Sequence, residues 1–327
     1  MALSIARFDL RVPGLDPAEV SWRYQAALDM AAFADEVGMD MVVLSEHHGT
    51  EDGYLPSPLI MAGAVAARTT RIGINISALL VPLHDPIRLA EDLSVLDLIS
   101  GGRVSTVVGL GYRPVEYAMF EQEWKRRGRR MDESLDLMLA AWRGEPVDRG
   151  GESVVVTPAP LSQPHPMVMV GGSGEAAVKR AARLGLGVFL PVNDQGLIDL
   201  YYAECERLGV PAGFAVVPSG PGTLVVADDP DEAWAELGPY LLHDAVTYNS
   251  WQTPDIRSHV KAEATTVEGL RAEGVYQILT PDEAVALAAE LGPLGPLTLH
   301  PMCGGTPPEL AWKYLRHFAE TVLPRLG

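Results

Sequence analysis

The sequence predicts an α/β protein of the (β/α)8 barrel class, with insertions at the face formed by the carboxyl ends of the strands. Three observations predict it. Short apolar runs alternate with amphipathic stretches along the whole 327-residue chain, the pattern of βα units around a parallel sheet. The runs number eight, the strand count of a closed barrel, and no composition shift marks a second domain, so residues 1–327 read as one domain. Finally, the run Val42-Val43-Leu44 ends abruptly in Ser45-Glu46-His47-His48, and barrels assemble their active sites where strands end.

The elements follow in order. Leu3 to Phe8 is the first strand. From Ala18 to Val37, Tyr24, Ala27, Leu28, Ala31, Ala34 and Val37 form a helical stripe that Gly38 ends. Met41 to Leu44 is the second strand, Pro58 to Ala67 the second helix, Ile72 to Leu80 the third strand, Pro86 to Leu98 the third helix and Val104 to Val108 the fourth strand. A charged connection spans Gly109 to Asp132, and its run Lys125-Arg126-Arg127-Gly128-Arg129-Arg130 reads as a solvated helix face. Residues 143–166 are rich in Gly and Pro around Ser153-Val154-Val155-Val156, which predicts a short hairpin insertion. The alternation then resumes with Met167 to Val170, a helix to Leu184, Val188 to Leu190, a helix to Leu208, Thr223 to Ala227, a helix to Ala245, Leu297 to Leu299 and a final helix to Leu323. Residues 247–274 are long, polar and weakly periodic. They read as a lid, with Tyr248, Asn249, Trp251, Gln252 and Pro254 supplying surface to cover a pocket.

Composition narrows the function. With 25 Lys plus Arg against 43 Asp plus Glu the formal charge is −18, which repels a phosphate backbone and argues against nucleic-acid binding. No apolar run approaches the ~20 residues of a membrane span. Residues 1–11 lack a basic leader with an apolar core, and Cys205 and Cys303 are too few for a disulfide framework, so a cytoplasmic location is expected.

Three places carry chemistry. His47 stands at a strand end, where an imidazole can titrate near neutral pH. Val168-Met169-Val170 opens into Gly171-Gly172-Ser173-Gly174 ahead of a helix, an arrangement that presents backbone N–H groups to an anion. In the third strand, Ser77 and Ala78 interrupt an apolar run and leave room for a flat ring, although small residues also relieve crowding inside barrels. No nicotinamide-type Gly-x-Gly-x-x-Gly is present: after Gly109-Leu110-Gly111 the required position is Pro114. A metal site is not expected, because His47 and His48, as neighbours on a strand, face opposite sides and no later His-rich cluster completes a ligand set. Tyr54, Leu55, Met302 and Cys303-Gly304-Gly305 are candidates to line an apolar pocket, with Cys303 a small hydrophobe rather than a nucleophile.

The chain resembles the bacterial luciferase-like flavin monooxygenases nearly end to end. The resemblance rests on Ser45-Glu46-His47-His48, Arg71-Ile72-Gly73, Val81-Pro82, Asp85-Pro86-Ile87-Arg88-Leu89-Ala90-Glu91-Asp92, Leu96-Asp97-Leu98-Ile99-Ser100-Gly101-Gly102-Arg103, Gly171-Gly172-Ser173 and the closing Phe318 to Leu326. It implies a barrel that binds reduced flavin mononucleotide (FMN) supplied by a separate reductase, a lid, and a homodimer through the early helices. The family's histidine falls on His47 and its neighbouring carboxylate on Glu46. Its non-proline cis peptide falls on Ser77-Ala78, its ring-proximal position on Tyr112, and its phosphate loop on Gly171, Gly172 and Ser173. Where luciferases proper carry a phosphate-binding arginine this chain has Leu110, with Arg113 nearby as a candidate substitute. The implied activity is a two-component monooxygenase acting with oxygen on a small organic substrate. The alternatives are a deazaflavin-dependent oxidoreductase that transfers hydride, whose members commonly carry Asp where this chain has Glu46, and a flavin-binding protein without turnover.

Overall fold

The computed structural model describes residues 2–252 and 256–326; Pro254 of the expected lid lies outside them. In chain order the elements begin β1 (Leu3–Phe8), α1 (Pro17–Val37), β2 (Met41–Leu44), α2 (Pro58–Arg68), β3 (Gly73–Leu79), α3 (Pro86–Ser100), β4 (Val104–Val108), α4 (Pro114–Met119) and α5 (Arg127–Trp142). Next come β5 (Val147–Arg149), β6 (Glu152–Val154), β7 (Met167–Gly171), α6 (Glu175–Leu184), β8 (Gly187–Phe189), α7 (Gln195–Leu208), β9 (Ala215–Val216) and β10 (Thr223–Val226). The series closes with α8 (Pro230–Trp251), α9 (Val267–Glu273), β11 (Tyr276–Leu279), α10 (Pro281–Leu291), β12 (Pro296–Leu299) and α11 (Pro308–Thr321).

The chain divides into two compact units interleaved in sequence. The first takes the described parts of 1–44, 50–56 and 218–327, the second Ser45–Gly49 and Ser57–Val217. Within the first unit the strands run parallel in the order β11-β10-β12-β1-β2. Within the second they run parallel in the order β3-β4-β7-β8-β9. The fold class is the expected parallel α/β series of (β/α)8 proteins. β5 and β6 pair antiparallel inside residues 143–166.

Local chemistry sets the element ends. Asp16 caps α1 by accepting from the Ala18 and Glu19 N–H groups, with Pro17 at the first helical position. Asp85 caps α3 in the same way ahead of Pro86. Gly38 and Gly101, at φ 92° and 67°, close these helices in the left-handed conformation that glycine adopts without a Cβ penalty.

Three expectations need correction. Eight strands were expected, and β9 and β11 extend the parallel series beyond that number. β11 follows the stretch 247–274 and is assigned no element from sequence, although Tyr276 and Ile278 alternate into the core of the first unit. The expected lid is also partly helical: Thr247 to Trp251 are the last residues of α8, and α9 fills Val267–Glu273 with Leu270 buried. Finally, the basic run is not a wholly solvated face. The Arg130 guanidinium donates to the Pro82 and His84 carbonyls at 2.6 and 3.1 Å, and Arg127 lies over the Trp124 ring at 3.8 Å.

Candidate functional site

The candidate site lies within the second unit. Parallel pairing sets Ser77 beside Val107 and Val108 beside Val170, so the chain leaves β3, β4 and β7 along one edge. Along this edge stand Ser77-Ala78 near the end of β3, Gly109 to Tyr112 after β4, and Gly171 to Ser173 from the last residue of β7. The Ser77–Ala78 peptide is cis. A Cβ at Gly109 would lie 2.9 Å from the Ala78 Cβ, so glycine there lets the two segments run side by side. Ser45 Oγ donates to the Ser77 carbonyl at 2.5 Å, tying the segment after β2 to this edge.

The predicted residues separate into two layers. Ser77, Ala78, Tyr112, Gly171, Gly172 and Ser173 are partly exposed, whereas Glu46, His47, His48, Arg113 and Glu116 are buried. In the buried layer His47 Nδ1 lies 2.9 Å from Glu116 Oε1, and its Nε2 lies 3.2 Å from the Tyr112 hydroxyl. The same Glu116 oxygen accepts from the His48 N–H and from Arg113 Nη1, each at 3.1 Å. Burial alone would raise the Glu116 pKa, but the His47 hydrogen bond and charge, the His48 N–H and the Arg113 charge outweigh it and hold the carboxyl below its ordinary value. Glu116 therefore stands as a carboxylate.

Glu46 occupies a second hub. Its Oε1 lies 2.8 Å from both His48 Nε2 and His84 Nε2, and its Oε2 accepts the Leu80 N–H at 2.6 Å. Burial opposes ionisation of Glu46, yet these three donors bring its pKa down to about 2. Burial likewise lowers the His84 pKa, and the Glu46 hydrogen bond and charge more than reverse that, leaving it raised. Because both Glu46 oxygens are engaged inside the protein, its contacts assign it to holding the loops after β2 and β3 together. Arg113 is committed as well: Nη1 donates to the His48 carbonyl at 2.7 Å and to Glu116.

Glu116 and His84 were not singled out from sequence. The signal for Glu116 was Pro114 opening a helix directly after a strand-end segment, which brings Arg113 and Glu116 onto one face at i,i+3 spacing. His84 carried no comparable signal.

The Gly171-Gly172 pair has a packing reason of its own. A Cβ at Gly171 would sit 2.9 Å from Val107 Cγ1, and one at Gly172, φ 154°, would sit 2.7 Å from the Ala177 Cβ. At the start of α6, Gly174 is the extended N-cap and no side chain caps the helix; the Ala177 N–H turns back to the Gly174 carbonyl at 3.0 Å, and the helix N-terminus carries a partial positive charge.

The pocket candidates lie in the first unit. Tyr54, Leu55, Met302 and Cys303 are buried there, and burial followed by the Asp244 and Asp9 charges pushes the Cys303 thiol well up. Tyr54, Tyr248 and Trp251 stand around the Arg11 guanidinium at 4.8, 5.0 and 4.8 Å, so Tyr248 and Trp251, two aromatics of the expected lid, pack with Tyr54 around an arginine. Arg11 also pairs with Asp52, Asp244 and Asp9 at 2.5, 3.1 and 3.3 Å. Asp9, His300 and Cys303 bring potential metal-ligand atoms within 4.8 Å of one another, a cluster that the sequence did not suggest. Arg11 already supplies a positive charge at Asp9, which weighs against a cation.

Comparison with known proteins fixes the affiliation. The model of the luciferase-like monooxygenases matches residues 7–292. The chain belongs to this family. Among solved structures it is similar to the monooxygenase RslO1 from Streptomyces bottropensis, with TM-score 0.78 and 27% identity over 100% of both chains. It shares the fold of the oxygenating constituent of 3,6-diketocamphane monooxygenase from Pseudomonas putida in complex with FMN, with TM-score 0.71 and 20% identity over 99% of this chain and 98% of that one. An F420-dependent glucose-6-phosphate dehydrogenase of Amycolatopsis mediterranei (strain U-32) is 32% identical over 185 residues, 53% of this chain and 55% of that protein. The chain spans about half the length of the curated relatives it matches. FMN and F420 (deazaflavin) thus both occur among relatives. No helix among the described residues is long and apolar enough to cross a membrane.

Proposed function

We propose that the protein is a two-component monooxygenase that takes reduced FMN from a separate flavin reductase and, with O2, oxygenates a small organic substrate. The observation that carries this reading is the strand-end edge itself: Ser77-Ala78, Tyr112 and Gly171 to Ser173 stand partly exposed over a buried histidine–carboxylate layer. The edge fits the cofactor, because α6 begins without a side-chain cap where a phosphate needs donors and the small Ser77 and Ala78 leave a surface for a flat ring. When bound, reduced FMN supplies the electrons that activate oxygen. The chain binds and orients it through these residues, keeps water from the reacting groups and handles protons at His47.

Similarity to the F420-dependent dehydrogenase favours a second reading, hydride transfer with a deazaflavin. Reductase-coupled incubation with 18O2 and a panel of small substrates separates them. The first reading expects 18O in a product, and F420-dependent turnover without oxygen uptake supports the second.

Two further expectations remain part of the proposal. Ile60 on α2 and Val95, Leu98 and Ile99 on α3 are exposed apolar residues and supply a surface for a homodimer. Residues 256–266, outside regular helix and strand, retain the lid role.

A further inference from the structure

We propose that Tyr112, His47 and Glu116 form a proton relay in which the Tyr112 hydroxyl meets the substrate, His47 takes up the proton, and Glu116 holds the ring in the receiving tautomer. The proposal rests on the reading of this strand-end edge as the reaction site, and its substrate class is a hydroxyl compound, a phenol, enol or alcohol, that reacts as its anion.

The tautomer follows from Glu116. Its Oε1 takes donors from His48 N–H and Arg113 Nη1, groups with no acceptor capacity, and it stands 2.9 Å from His47 Nδ1. A carboxylate in that position requires Nδ1 to carry the ring proton. In the neutral imidazole the lone pair then lies on Nε2, which faces the Tyr112 hydroxyl at 3.2 Å. Tyr112 therefore donates to His47. The ring is 6% exposed whereas Tyr112 is partly exposed, so a ligand at this edge meets the phenol first. A phenol oxygen has lone pairs beside its O–H and can accept a hydrogen bond from a substrate hydroxyl.

The step balances. The substrate O–H proton passes to the Tyr112 oxygen while the Tyr112 proton passes to His47 Nε2, giving substrate anion and imidazolium, with Tyr112 neutral before and after. Glu116 stays ionised throughout and offsets the imidazolium, the role of the carboxylate in a hydrolase triad. This also accounts for a buried polar atom: Glu116 Oε2 has no partner among the described residues, so the charge of this carboxylate is only partly met by existing donors. Arg113, the cation on Oε1, weighs in the opposite direction.

Long-range 1H–15N correlation of protein with 15N-labelled histidine, without flavin, reads the tautomer directly, with His47→Asn assigning the signal. The expected result is a neutral His47 protonated at Nδ1. Tyr112→Phe should keep the tautomer and move the Nε2 resonance. Glu116→Ala, which removes the acceptor, should lose the tautomer preference, with Glu116→Leu as the substitute if that variant does not fold. A wild-type ring protonated at Nε2, or an Nε2 resonance unmoved in Tyr112→Phe, overturns the relay. For the substrate class the probe is 4-nitrophenol, whose anion absorbs visibly. Near its pKa, added protein should raise the anion band and Tyr112→Phe should abolish the rise; no rise in the wild type rejects the hydroxyl-acid assignment. The relay found in a protein that binds no flavin would support this inference and reject the flavin reading, so the two fail separately.

Discussion

Gly174→Asp pits helix stability against phosphate binding. Gly174 is the N-cap of α6 at φ −138° and ψ 164°, ordinary extended backbone, and a Cβ there meets nothing within 4 Å. An aspartate is therefore accommodated without strain. Its carboxylate can accept the first-turn N–H groups and favours the positive end of the helix, which should stabilise the protein by a few tenths to about 1 kcal/mol over glycine. The same carboxylate takes the place and sign of the proposed phosphate. One negative charge held about 5 Å from another at an effective dielectric of about 20 costs about 3 kcal/mol, equivalent to about two powers of ten in Kd. Calorimetric titration with FMN and with riboflavin, alongside thermal melting, measures both effects. The expected outcome is a retained or higher Tm, FMN binding weakened about 100-fold, and riboflavin binding little changed. Equal FMN affinity in both proteins would remove the phosphate from α6. A lowered Tm would refute the cap argument.

Other predictions concern the supporting structure. Glu46, held at about 2 against an ordinary 4.5, contributes about 3 kcal/mol that is present above pH 4.5 and lost as pH falls toward 2; Glu46→Gln should lower Tm at neutral pH and flatten its acid dependence, and parallel acid profiles would contradict this. The contribution of His84 has the opposite sense, present below pH 6.5 and lost as pH rises through its raised pKa, so His84→Asn should narrow the stability difference between pH 6 and pH 9. Arg11→Met leaves Asp9, Asp52 and Asp244 without their shared guanidinium and should cost about 3–5 kcal/mol in urea unfolding; a loss within experimental error would mean that another cation neutralises the cluster. Amides of residues 256–266 should exchange faster than those of β10 and β12 without cofactor and slow when it binds; protection equal to the strands in its absence would reject the lid.

The sequence displayed those features whose cause is local. Gly38 is legible as a helix end because a C-cap needs only neighbouring atoms; the N-caps Asp16 and Asp85 and the helix end Gly101 rest on equally local chemistry but are not singled out from the sequence. Gly171 to Ser173 follow from their place between a strand and a helix, whereas Tyr112 and the role of Ser77-Ala78 come from the family resemblance. What escaped depends on partners distant in sequence. Glu116 reaches His47 across 69 residues and Glu46 reaches His84 across 38; the neighbouring His48 is visible beside Glu46, but nothing near either glutamate points to its distant imidazole partner. Tyr248 and Trp251 looked like pocket cover because Arg11, beneath them, lies far upstream. β11 was missed for another reason: four residues after Gly274 give too short an alternation to stand out from a polar segment.

The most direct test is anaerobic titration of the protein with reduced FMN and, separately, with reduced F420, followed by admission of oxygen. The proposed function predicts saturable binding of reduced FMN, weaker binding of F420, and oxygen uptake with substrate that depends on FMN. Tight binding of reduced F420 with neither FMN binding nor oxygen uptake would contradict it.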